Sequence, residues 1–242
     1  MRIGWLLLVL PVSALAQIVP DDYTLAGIAV RTRPAYDGSE TQRTDVIPLL
    51  RYYGQPWFAR TTQGVLEGGA RWWIVPGLDF GVQVAYEEGR KTSESDLLES
   101  LNLPDVHSGA SVGAHVEWDT KIGRMPVSLL GRYRQHTDSD RGSQFDLRFN
   151  AGLHRSGGLI VAAYAQATWA STKAVRSMYV LPDAGGGLMH VSAGLLGSYD
   201  FTRHWTGVWG LQLRRLQGDA TDSVIVETHS SFYANAGIAY RF

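Results

Sequence analysis

The segment Phe232-Tyr233-Ala234-Asn235-Ala236-Gly237-Ile238-Ala239-Tyr240-Arg241-Phe242 carries the reading of this chain. Successive side chains of an extended strand point to opposite faces. Phe232, Ala234, Ala236, Ile238, Tyr240 and Phe242 therefore share one apolar face, with Arg241 on the other. The same alternation recurs upstream. Phe145, Leu147, Phe149, Ala151 and Leu153 oppose Asp146, Arg148, Asn150 and His154. Ala110, Val112, Ala114, Val116 and Trp118 oppose Ser111, His115, Glu117 and Asp119, and Leu78, Phe80, Val82, Val84 and Tyr86 oppose Asp79, Gln83 and Glu87.

Further candidate strands lie at about Tyr23 to Arg33, Asp45 to Tyr53, Trp57 to Thr61, Gly64 to Ile74, Pro126 to Arg134, Leu159 to Trp169, His190 to Phe201 and Trp205 to Arg215, which brings the total to about twelve. In water such strands would form a sandwich with one face solvated. In lipid the apolar face turns outward and the sheet must close, because an open edge leaves unpaired N–H and C=O groups in hydrocarbon. Two features favour lipid. Met1 to Ala16 reads as a Sec signal peptide, with Arg2, the apolar run Ile3 to Leu10 and a small-residue site at Ala14-Leu15-Ala16. The final strand resembles the signal read by the barrel assembly machinery, with Ile238, Tyr240 and Phe242 as its aromatic and apolar elements. The expectation is an all-β, antiparallel transmembrane barrel of about twelve strands over residues 17–242, with periplasmic termini in the outer membrane, facing lipid and lipopolysaccharide.

Composition removes other classes. No apolar stretch reaches the roughly 20 residues of a membrane-spanning helix. With no cysteine, the chain has neither a lipoprotein anchor nor disulfides. A net charge of −1 and a pI near 6.7 give no electrostatic reason to expect a nucleic-acid partner. Aromatic content of 11% with 27 glycines and a mean hydropathy of −0.10 suits alternating strands better than continuous core runs.

The connections fit periplasmic termini. Gly54-Gln55-Pro56, Val75-Pro76-Gly77, Thr120 to Gly123, Arg155 to Gly158 and Thr202 to His204 are short, whereas Gly89 to Ser108, Ala170 to Gly186 and Gln217 to Ser230 are long and polar. The inner face then carries Arg51, Glu67, Arg71, Asp79, Glu87, His115, Glu117, Arg132, Arg134, Asp146, Arg148, Arg214 and Arg241. Such a set either plugs the lumen with ion pairs or lines a polar path for small solutes. Twelve strands lie between the filled eight-stranded barrels and the open porins, so size does not decide.

Catalytic signatures are missing from the sequence. The seven histidines show neither i, i+2 strand spacing nor an HExxH form, so no metal site and no cofactor are expected. Gly185-Gly186-Gly187 lacks the following Gly-Lys-Ser/Thr of a phosphate loop. A serine–histidine pair formed by the fold remains open.

Three motifs, taken in order, carry a family resemblance: Pro34-Ala35-Tyr36-Asp37-Gly38-Ser39; Gly89-Arg90-Lys91 followed by Leu101-Asn102-Leu103-Pro104-Asp105-Val106; and Arg215-Leu216-Gln217-Gly218-Asp219-Ala220-Thr221-Asp222-Ser223 before a Gly-x-x-Tyr-x-Phe end. Together they resemble the MipA/OmpV family, with Asn102 in place of an expected glycine and Val224 in place of a proline. The resemblance implies a barrel that interacts with a murein lytic transglycosylase and links it to a penicillin-binding protein. The alternative is a small-solute outer-membrane channel.

Overall fold

The computed structural model describes residues 24–62 and 65–242, so the expected signal peptide lies outside the described residues. Among the described residues twelve strands make up the wall. They are β1 (Leu25–Pro34), β2 (Gln42–Tyr53), β3 (Trp57–Thr62), β4 (Val65–Val75), β5 (Leu78–Glu87) and β6 (Gly109–Ile122). There follow β7 (Met125–His136), β8 (Ser143–Ser156), β9 (Leu159–Ala170), β10 (Gly187–Asp200), β11 (Trp205–Leu216) and β12 (Ser230–Arg241). Each strand pairs antiparallel with the next, and β12 returns to β1 from Leu25↔Arg241 to Thr32↔Ala234, closing the barrel.

Period-two patterning determines which way each strand faces. On β5, Phe80, Val82, Val84 and Tyr86 are exposed on the outside, while Asp79 and Gln83 are buried within. The exposed apolar band runs round the wall through Ile28, Val30, Val112, Val116, Leu147, Leu195, Leu213 and Ile238. Aromatic rings border it at both ends. Trp57, Trp72, Trp118, Trp205 and Tyr240 lie towards the short turns, and Tyr86, Tyr133, Phe145, Trp169 and Phe232 towards the long loops. An apolar band flanked by aromatic girdles is the outer surface of a transmembrane barrel.

One end carries short turns, at residues 54–56, 76–77, 123–124, 157–158 and 201–204. The other carries the loops 35–41, 88–108, 137–142, 171–186 and 217–229. At the loop end β3 and β4 stay paired to Thr62↔Val65, so not every pair of strands on that side is joined by a long loop.

Two departures from the simple pattern matter. A bulge at Leu153 lies between the pairs Gly152↔Ala162 and His154↔Val161, so His154 joins Val161 on the outer face instead of following Asp146, Arg148 and Asn150 inward. An inserted residue reverses the alternation beyond it. The second departure is at β2, which pairs with β3 at Arg51↔Arg60, Tyr52↔Ala59 and Tyr53↔Phe58; from Gln42 to Leu50 it has no ladder partner on that side among the described residues. Pro48, which has no N–H to leave unpaired, lies in that stretch, and Thr61 Oγ1 accepts from the Leu50 N–H at 3.3 Å.

Candidate functional site: lumen and cap

The inner faces of β3 to β9 build a network around two carboxylates. Glu67 on β4 accepts from Arg60 Nε at 2.5 Å, Arg132 at 2.8 Å and Gln83 at 3.0 Å. Asp146 on β8 accepts from Arg132 at 2.8 Å, Arg134 at 3.0 Å and Thr168 at 2.7 Å. Arg132 on β7 therefore spans both acids. Arg134 also reaches Glu87 at 3.0 Å, and Arg60 reaches Glu117 at 3.5 Å. His115 meets Gln83 at 2.6 Å and presents its ring edge-on to Phe58. Gly81 makes room for that ring, since a Cβ there would lie 2.3 Å from His115 Cε1. Asp79 is bound by Arg71 at 3.4 Å. Near the short turns, Arg241 holds Asp200 at 2.5 Å and Thr206 at 3.0 Å. Buried charges persist in a barrel when each has a partner of opposite sign and satisfied hydrogen bonds.

Arg148 on β8 is different. Its Nε donates to Asn150 at 2.8 Å and its guanidinium lies 4.0 Å from the Tyr164 ring centroid. Among the described residues no carboxylate pairs with it. It borders a cavity of about 660 Å³ between the network and the opposite wall. That cavity extends from Arg31 and Tyr233 down to the Arg155–Leu159 turn. None of the described residues bordering it belongs to the long loops.

The loops instead close over one another. The connection after β5 carries α1 (Asp96–Ser100), whose Leu98 is fully buried against Ala35, Tyr36 and Ile225. The connection after β9 carries α2 (Thr172–Tyr179), capped by the Ser171 side chain. There Ala174, Val175 and Tyr179 pack on Leu216, Ala220 and Met189. Polar contacts fix the lid: Tyr36 Oη donates to the Ile225 carbonyl at 2.8 Å, Arg141 to the His107 carbonyl at 2.7 Å, and Ser39 to Glu227 at 3.1 Å. Ser223 donates to the Tyr179 carbonyl. Asp37 reaches down into the barrel, where it binds Arg214 at 2.6 Å and accepts from the Tyr233 hydroxyl.

The three sequence motifs converge in this cap. Pro34, Tyr36 and Ser39 are buried, and Gly38 adopts φ +100 with Val226 and Leu216 crowding the space a side chain would need. Gly89 passes against the Val106 carbonyl, and Arg90 bridges to Val106 while buried beneath. Leu103 packs on the Tyr36 cluster, Asp105 caps the Thr92 N–H at 2.7 Å, and Pro104 is exposed. Burial holds the Arg90 guanidinium below the usual arginine range, although the Tyr36 hydroxyl and the Asp105 carboxylate nearby pull the other way. On β12, Ile238, Tyr240 and Phe242 point outward, and the Tyr240 ring touches Trp205 and Phe242. Among the described residues no three His, Cys, Asp or Glu side chains form a metal-holding group.

The model of the family described as MltA-interacting protein MipA matches residues 26–242, from the first strand through the last. The chain belongs to the MipA family. No curated protein matches it. Two solved barrels share its fold. The NanC porin is 12% identical, with 89% of this chain and 100% of that chain covered and a TM-score of 0.52. An outer membrane channel from Pseudomonas putida F1 is also 12% identical, with 95% and 98% covered and a TM-score of 0.51. At that identity the likeness concerns the fold. With the lipid-facing band it makes this MipA-family member an outer-membrane barrel.

Proposed function

We propose that this barrel is an outer-membrane anchor and scaffold for a peptidoglycan-remodelling enzyme, with its short turns facing the periplasm. The observation that carries the reading is the closure of the lumen. The motif loops are used in packing against one another, and the ion-pair network occupies the β3–β9 side of the lumen beneath them, which argues against solute passage as the main role. The family's description names an interaction with MltA, and the resemblance noted above implies a lytic transglycosylase joined to a penicillin-binding protein.

Charge supports the orientation of the interface. The exposed turn end carries Lys121, Arg124, Arg155 and Arg203, whereas the loops present Glu40, Glu88, Asp96, Glu99 and Asp105. A single turn is far smaller than the roughly 800 Å² per partner of a standard interface, so a partner would have to cover several turns at once. The lipid-facing Tyr240 and Phe242 suit them to recognition by the assembly machinery before the barrel closes.

The test is a photo-crosslinking residue placed at Arg124 or Arg203 in intact envelopes, compared with one at Ser100 on the loop side. The scaffold reading expects a transglycosylase or synthase captured from the turn positions. Capture from Ser100 alone, or of no peptidoglycan enzyme from any position, would overturn it.

A further inference from the structure

The lumen holds a second feature that a sealed anchor does not need. Seven arginines but three carboxylates, Glu117, Asp119 and Asp200, border the cavity. The acids that neutralise the network, Glu67, Asp79 and Asp146, are at most 2% exposed and do not border the cavity. The surface turned towards the cavity is therefore cationic. Arg148 differs from the other arginines of that surface: it is 6% exposed, bound to a neutral amide and stacked on Tyr164, with no carboxylate in ion-pair contact among the described residues. Arginine does not lose its proton in proteins, so this charge persists at every physiological pH. Its remaining N–H donors form a planar fork that matches a carboxylate or phosphate.

The opposite wall carries an apolar patch among its polar side chains. Ile47, Leu49, Leu196 and Val208 border the same space. A volume of about 660 Å³ falls within the range of small-molecule sites. Arg155, Gly157 and Gly158 form its lower rim on an exposed turn, so access comes from the short-turn end.

We infer that the cavity is a binding site for a small organic anion, a carboxylate or phosphate on an apolar body, with Arg148 gripping the charge and the Ile47–Val208 wall holding the body. The inference is independent of the scaffold role, because it concerns the lumen and not the rim.

The test uses the purified full barrel in detergent, with calorimetric titration of benzoate and of the neutral, equally sized benzyl alcohol. Wild type should bind benzoate at least tenfold more tightly, and inorganic phosphate should compete. Arg148→Gln should abolish the preference, Arg148→Lys should retain part of it, and Lys121→Gln on the exposed rim should leave it unchanged. Heat-modifiable migration on gels establishes that each variant is folded. Equal binding of the two probes by wild type, or an unchanged preference in folded Arg148→Gln, would overturn the site; the wild-type comparison decides even if a variant fails to fold.

Discussion

Glu67 on β4 and Arg132 on β7 meet inside the barrel at 2.8 Å, although two other strands of the wall separate them. Both are almost fully buried, so the contact is a strut across the lumen. Glu67→Gln would leave Arg60 and Arg132 short of a counter-charge and should cost about 3–5 kcal/mol. Glu117→Gln, which loses one long ion pair at 3.5 Å and leaves Arg60 its shorter contact with Glu67, should cost less, about 1 kcal/mol. Urea unfolding in lipid vesicles checks both, and equal midpoints would mean that the strut carries no stability.

Val116 and Glu117 are neighbours on β6, but their side chains meet different solvents. Val116 is exposed in the apolar band and Glu117 borders the lumen cavity. A lipid-facing charge costs roughly 2–4 kcal/mol near the midplane. Val116→Arg should therefore lower the unfolding midpoint far more than Glu117→Gln. A larger effect at Glu117 would show the faces to be reversed.

Asp37 ties the first loop to the wall through Arg214 and Tyr233. Burial pushes its carboxyl up, but Arg214 first, then His190 and the Tyr233 hydroxyl, outweigh this and hold it below the ordinary carboxylate range. A lowered folded pKa means the stabilisation is present above about pH 4 and is lost as pH falls through the folded value. Pepsin should cut the loops of the reconstituted barrel increasingly as pH drops from 5 to 2, after correction with an unstructured peptide. Asp37→Asn should already be cut at pH 5, since each charge-assisted bond lost costs about 1.5–3 kcal/mol. A corrected rate that is flat with pH would count against the tether.

Orientation can be read with cysteines, since the chain has none of its own. Ser100 is exposed on the α1 loop and Arg124 on a short turn. With periplasmic turns, Ser100→Cys should react with a membrane-impermeant maleimide on whole cells, and Arg124→Cys should react only after the outer membrane is opened. The reverse pattern would invert the barrel and return the long loops to the periplasm.

The wall was readable in the sequence because period-two alternation is a local signal. Asp79, Glu87, His115, Glu117, Arg132, Arg134, Asp146, Arg148, Arg214 and Arg241 all lie on the inner face. His154 does not, because an inserted residue at Leu153 changes the count and leaves no separate mark in the composition. The meeting of Tyr36, Leu98 and Ile225 was equally hidden, since those residues are far apart in the chain and only the closed ring brings their loops together. Nor could the sequence distinguish Arg148 from its paired neighbours. Pairing depends on where a carboxylate stands across the lumen, and alternation reports only the face.

The short ladder between β2 and β3 gives the cylinder a preferred place to tear. Among the described residues eight rungs join the first strand to the last, whereas three join β2 to β3. The join that completes the ring is thus the stronger of the two, and a barrel strained by heat or lateral tension should part beside Tyr52, well away from its own ends. Backbone amides of β2 near Arg51 to Tyr53 should then exchange with deuterium before those of β12, and the chain would open as a sheet whose first and last strands are still joined.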